Sequence, residues 1–137
     1  MVINAARGPV ADNAELTRAL LRGAVRHAAV DCWEGEPRIS RDLLARADIA
    51  TPHIAGYSIE GKRRATAAAF NALLEHFGSE RRVDPGVPLQ APGSVTRADI
   101  IASYDPFADT EALRRSPDDF ERLRNTYRLR HEVPANS

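Results

Sequence analysis

Three short apolar runs punctuate the first 57 residues, and each gives way to polar or charged positions. Val2-Ile3 is followed by Arg7, Ala28-Ala29-Val30 by Asp31 and Glu36, and Ile49-Ala50 by His53. Each run is too short for a core helix and reads as a buried strand. Helical patterns lie between them. Asp12, with Glu15 three positions on, is a capping-box-like start, after which Leu16, Ala19 and Leu20 share a face until Gly23 stops the helix. A second short helix is predicted over 40–46, with Ser40 as its cap and Leu43 and Leu44 turned inward. Strands alternating with helices predict an α/β fold with a parallel sheet. The carboxyl ends of its strands then share one edge, where ligands bind in open sheets.

Beyond this region Ser58 is placed to cap a long helix reaching Phe77, with Gly78 as its stop. Ile59, Ala65, Ala69, Phe70, Leu73, Leu74 and Phe77 supply its apolar face, and Lys62, Arg63 and Arg64 its solvated one. The stretch 83–93 holds three prolines and two glycines and reads as a linker or extended arm. Residues 95–103 read as one strand or helical turn, and 109–115 and 118–128 as two short helices. Phe120, Leu123 and Tyr127 give the second of these a stripe to bury. The tail carries too little apolar material for a core of its own, so it is expected to pack against a partner.

Composition narrows the class. At 137 residues, 43% of them hydrophobic and 28% charged, the chain suits one domain or a little more with a soluble surface. Nineteen basic residues balance nineteen acidic ones, so no net field points to nucleic acid or to a membrane surface. The single Cys32 excludes an internal disulfide and suits a reducing cytoplasm. No apolar run is long enough to span a bilayer, and Met1 opens directly into a strand pattern rather than a signal peptide. The expectation is a soluble, cytoplasmic protein. Three short parallel strands make a poor sheet alone, because parallel sheets are normally covered on both faces. The chain therefore reads as the back half of something larger.

Taken singly, the candidate residues have ordinary readings beside the chemical ones. Arg7 is by default a surface arginine, Glu36 a solvated loop glutamate, and Asp31 a cap on the turn after its strand. His53, beside Pro52 at a strand end, is placed for proton transfer and equally for a satisfied structural role. Cys32 reads as a small buried residue, with nothing basic nearby to favour a thiolate. His27, His76 and His131 read as solvated. No metal site is expected.

In combination the residues are more specific. The segments Ile3-Asn4-Ala5-Ala6-Arg7-Gly8, Asp31-Cys32-Trp33-Glu34-Gly35-Glu36-Pro37 and Thr51-Pro52-His53-Ile54-Ala55-Gly56 resemble, in order, spacing and context, the D-2-hydroxyacid dehydrogenase family. The resemblance implies the C-terminal half of a Rossmann-type parallel-sheet NAD-binding domain over 1–55. It further implies a helix returning to the substrate (lid) domain over 56–82, then a linker and a small α+β dimerisation domain over 83–137. In that family the arginine holds the substrate's carboxylate and carbonyl, the histidine is the acid/base and the glutamate pairs with it. By motif these are Arg7, His53 and Glu36. Asp31 would meet the nicotinamide end of NAD, and Ala5, Ala6, Arg7 and Gly56 would line the cofactor.

Two features resemble a subgroup that acts on a small phosphorylated 2-hydroxy acid as a homodimer. They are the segments 33–37 and 53–62, and a tail with Tyr104-Asp105-Pro106, Phe120 to Arg124 and Tyr127. Tyr57 would then contact the phosphorylated substrate. The alternatives are a dehydrogenase of phosphoglycerate or glyoxylate/hydroxypyruvate type, and an inactive remnant serving only as an oligomerisation module. No G-x-G-x-x-G turn occurs in these 137 residues, so the pyrophosphate of NAD has no helix N-terminus here to rest on. This chain by itself is expected to bind NAD weakly or not at all and to lack turnover.

Overall fold

The computed structural model of the chain describes residues 1–87 and 95–132. Its contacts group the residues into two units, Met1–Ala55 with Asp105–Tyr127, and Gly56–Tyr104 with the segment from Arg128. Residues 105–127 thus group with 1–55, and 56–104 form the larger part of the second unit.

In the first unit the three apolar runs form β1 (Val2–Asn4), β2 (Ala28–Val30) and β3 (Ile49–Ala50). They pair in parallel in the order β1-β2-β3, with Val2 opposite Ala28 and Ala29 opposite Ile49. Helix α1 (Asn13–Leu21) starts where the Asp12 carboxylate accepts from Glu15 N at 2.8 Å. The expected capping box is otherwise not built, since the Glu15 side chain turns to Arg18 instead. Gly23, at φ +73, takes the left-handed backbone that ends the helix without a Cβ penalty. Helix α2 (Arg41–Arg46) is capped by Ser40, whose hydroxyl accepts from Leu43 N at 3.2 Å. Leu43 and Leu44 are buried, each worth roughly 1.5–3 kcal/mol relative to exposure.

The tail forms two short helices near the expected positions. Helices α5 (Pro106–Arg115) and α6 (Phe120–Asn125), with a short 3-10 turn between them, bury Leu113 and Phe120 in the same core as Leu16, Val30 and Leu43. The outer edge of β3 is met by a side chain rather than a strand: Ala50 N donates to Thr110 Oγ1 at 3.0 Å, and that hydroxyl donates to Pro106 O at 2.8 Å. Arg114 donates to the carbonyls of Leu44 and Ala47 at the end of α2. Phe120 of the predicted stripe is buried within this chain, and Leu123 and Tyr127 are half-buried.

In the second unit α3 (Ile59–His76) begins at Ser58, which accepts from Gly61 N at 2.9 Å. Residue 130 runs beside its head, with Ile59 N donating to Arg130 O at 3.0 Å. The apolar face predicted for α3 is not covered: Phe70, Leu73 and Phe77 are 54%, 52% and 75% exposed, and only Ala67 is buried. Residues 83–87 carry no helix or strand, and Val83 is tied to Asn71 by a reciprocal pair of hydrogen bonds. The rest of the expected linker, 88–93, lies outside the described residues. The stretch expected as strand or helical turn is α4 (Arg97–Ser103), set by a complete capping box between Thr96 and Asp99. Among the described residues no helix is long and apolar enough to cross a membrane.

Candidate active site

Because the strands are parallel, their carboxyl ends deliver residues 5–8, 31–36 and 51–54 to one edge of the sheet. Three buried side chains then tie these loops together. Asn4, at the end of β1, donates from Nδ2 to Arg7 O and to Cys32 O, each at 3.0 Å, and its Oδ1 accepts from Ala6 N at 3.2 Å. Trp33 donates from Nε1 to Thr51 O at 3.0 Å. Asp31 acts as a cap on the third loop: Oδ1 accepts from Thr51 Oγ1 at 2.6 Å, Ile54 N at 2.7 Å and Ala55 N at 3.1 Å. A buried carboxylate is costly unless it is satisfied, and these donors satisfy it.

The outcome is a histidine on a forced turn. His53 N donates to Asp31 O at 3.0 Å, and its backbone sits at φ +57, a region that costs a non-glycine residue of order 1 kcal/mol or more. The surrounding hydrogen bonds over-determine that conformation. They aim the imidazole at Glu36, with Nδ1 at 2.9 Å from Oε2 and 3.2 Å from Oε1. Glu36 is held in turn by Trp33 N, which donates to Oε1 at 2.8 Å. Both side chains are about three-quarters covered, at 25% and 22% exposure, which limits screening by water. An ionised carboxylate only accepts, so Nδ1 carries the hydrogen and Nε2 is left as the nitrogen for proton exchange.

Arg7 comes from the neighbouring loop. Gly8 is seated against the Trp33-Glu34 peptide so closely that a Cβ there would meet Trp33 O at 2.2 Å. The Arg7 guanidinium is exposed and donates to Ala6 O at 2.6 Å, leaving most of its donors turned to solvent. It is not hydrogen-bonded to His53 or Glu36. Arg7 and Glu36 are nevertheless both within electrostatic reach of the Cys32 thiol. Burial pushes that thiol up to about 11, with Asp31 and Glu36 adding to the rise and Arg7 opposing it. Cys32 is thus a protonated, buried side chain, and no nucleophile.

Ala5 and Ala6 are exposed on the loop after β1. Gly56 and Tyr57 belong to the second unit. There the Tyr57 ring lies under Lys62, whose Nζ is 3.7 Å from the ring centroid, and Tyr57 O accepts from Arg130 Nη1 at 3.4 Å. Of the other histidines, His27 faces Asp48 at 3.2 Å and His131 faces Glu60 at 2.7 Å, both exposed. Sequence reasoning missed Asn4 and Thr51 as parts of the site. The available signal was a polar residue directly after a short apolar run, in each case one that is buried in the structure.

Residues 1–55 and the chain as a whole each have relatives among known proteins. The family described as "D-isomer specific 2-hydroxyacid dehydrogenase, NAD binding domain" matches residues 1–55. Erythronate-4-phosphate dehydrogenases of Yersinia pestis (strain Pestoides F) and Yersinia pseudotuberculosis serotype O:1b (strain IP 31758) are each 40% identical to the chain. The match covers 96% of this chain and 39% of each relative, so the chain spans well under half the length of these relatives. Residues 1–55 therefore match the NAD-binding domain family of the D-isomer specific 2-hydroxyacid dehydrogenases, and the chain as a whole is similar to erythronate-4-phosphate dehydrogenase.

Proposed function

We propose that this chain carries the acid–base pair and the substrate-binding arginine of an NAD-dependent dehydrogenase that oxidises 4-phospho-D-erythronate to its 2-oxo acid. The observation that carries the reading is the contact of His53 Nδ1 with Glu36 at 2.9 Å, on a loop beside the one bearing Arg7. The identity to erythronate-4-phosphate dehydrogenases supports the choice of substrate.

The residues suit one end of NAD. Asp31 Oδ2 receives only the weak Cys32 Sγ–H donor at 3.7 Å, which leaves acceptor capacity for a carboxamide N–H at the sheet edge. Ala5, Ala6 and Arg7 offer exposed chain beside it. The 137 residues contain no glycine-rich turn for the pyrophosphate, so this part of the cofactor fits nothing in the described chain. NAD, when bound, supplies the acceptor for the hydride leaving C2 of the hydroxy acid.

The chain's own residues do the rest. The Arg7 fork grips the substrate carboxylate and polarises the developing carbonyl. His53 Nε2 takes the hydroxyl proton as the carbonyl forms, and Glu36 stabilises the resulting imidazolium through Nδ1. In the reverse direction the same nitrogen returns the proton. Tyr57 contacts the phosphorylated end of the substrate. A homodimer would give the exposed apolar side chains of the second unit, such as Phe70, Leu73, Ile100 and Ile101, something to bury.

The test joins this chain to the N-terminal part of the Yersinia pestis relative and follows NADH formation with 4-phospho-D-erythronate. Turnover is expected in the joined protein and not in the 137-residue chain alone. His53→Ala in the joined protein is expected to cost about 10²–10⁴-fold in rate. A joined protein that binds NAD but turns over no 2-hydroxy acid, or a His53→Ala variant of near-normal rate, would overturn the reading.

A further inference from the structure

We propose that Trp33 is a positioning residue for His53, acting through its indole N–H on the carbonyl of Thr51. The proposal rests on the reading of His53 and Glu36 as the acid–base pair, but its test does not need turnover.

Trp33 touches Glu36 and the segment that carries His53 without belonging to the pair. Its backbone N–H donates to Glu36 Oε1 at 2.8 Å, and its indole Nε1 donates to Thr51 O at 3.0 Å. The ring is 2% exposed and packed in the core with Leu16, Val30 and Leu43, so the N–H is aimed from a fixed platform. Thr51 is then held at both of its backbone groups: its N–H donates to Val30 O at 3.0 Å, continuing the sheet, and its carbonyl receives the indole. Only Pro52, whose ring restricts φ, separates that carbonyl from His53.

A peptide plane fixed at Thr51, a stiff proline and Asp31 gripping Ile54 and Ala55 leave His53 little choice but its left-handed conformation. The indole N–H, like the Asp31 carboxylate, comes from the 31–36 loop that bears Glu36, and it comes from the residue whose backbone N–H holds that glutamate. It therefore couples the position of the histidine to the position of the carboxylate. Pairs of this kind are sensitive to small displacements, because a hydrogen bond weakens steeply as its distance and angle leave the optimum.

The test uses the 137-residue chain and reads the imidazole N–H of His53 directly. A slowly exchanging Nδ1–H signal is expected by nuclear magnetic resonance and is identified by its loss in His53→Gln. Trp33→Phe removes the indole N–H and keeps an aromatic ring. It is expected to speed exchange of that imidazole proton by about tenfold, the effect of one ordinary hydrogen bond, while the amide of Val30 in β2 keeps its protection. A purely structural tryptophan would instead speed both together or neither. Because Trp33 is the only tryptophan in the chain, replacing it by its benzothiophene analogue deletes the N–H with the ring shape kept, which covers the case where Trp33→Phe does not fold. Unchanged imidazole exchange in either folded variant overturns the proposal, as does a wild-type chain in which the Nδ1–H exchanges freely.

Discussion

The ring of His53 and the backbone of Trp33 share one carboxylate: His53 Nδ1 stands 2.9 Å from Glu36 Oε2, and Trp33 N donates to Oε1 at 2.8 Å. Glu36→Gln should separate these two jobs. The amide oxygen still accepts from Trp33 N, while the NH2 group set against Nδ1 is a donor and carries no charge. In the joined dehydrogenase we expect turnover to fall roughly 10²-fold, with the unfolding midpoint in urea little changed. A rate within twofold of wild type would remove Glu36 from the mechanism.

Asp31 organises the turn that carries His53. Asp31→Ala would orphan the Thr51 hydroxyl and the N–H groups of Ile54 and Ala55. With roughly 1–3 kcal/mol lost per buried unsatisfied group, stability measured by urea unfolding should fall by about 3 kcal/mol or more. Asp31→Asn keeps one oxygen for these donors and should cost less than half as much. Equal losses for the two variants would mean that the charge, and not the geometry of acceptance, holds the turn.

Gly8 is required by close approach, not by a special backbone angle. Gly8→Ala would push a methyl group to 2.2 Å from the Trp33 carbonyl oxygen, where backbone and not a flexible side chain must yield. The expected cost is about 1–3 kcal/mol, visible as a lower urea midpoint with an unchanged slope. Since the Arg7 and Glu36 loops meet at this contact, the variant should also raise the KM of the joined dehydrogenase for its hydroxy acid. A fully stable Gly8→Ala would show that the two loops are not seated on each other.

The second unit carries a pH-sensitive tie. The Glu60 carboxyl is brought down from its usual 4.5 to about 2, first by the His131 ring and then by the N–H of Glu132. An acid whose folded value is depressed contributes above its unfolded value and loses that contribution as pH falls through the folded one. The tie between residues 131–132 and the head of α3 should therefore hold above about pH 4.5 and release between there and about 2. The amide signals of Ile59 and Glu132, followed downward from neutral pH, report it. Glu60→Gln should show the released positions already at neutral pH, and a variant indistinguishable from wild type would dismiss the tie.

The local half of this protein was legible in its residues. Strand positions, the caps at Asp12, Ser40 and Ser58, and the stops at Gly23 and Gly78 depend on neighbours a few positions away, and all appear as read. So did the arrival of Arg7, Glu36 and His53 at one sheet edge, which follows from alternation and parallel pairing alone. What covers an apolar face is not a local property. Phe120 and Leu123 of α6 reach the first unit's core alongside Thr110 and Arg114, which satisfy the open edge of β3 and the end of α2 from 60 or more residues away. The face of α3 has the same helical pattern and stays uncovered among the described residues. The left-handed turn at His53 and the reach of Trp33 to Thr51 were likewise invisible, since they arise from hydrogen bonds across 18 to 24 positions that no sequence window contains. Periodicity specifies which residues must be buried or delivered to an edge; only the packed chain decides against what.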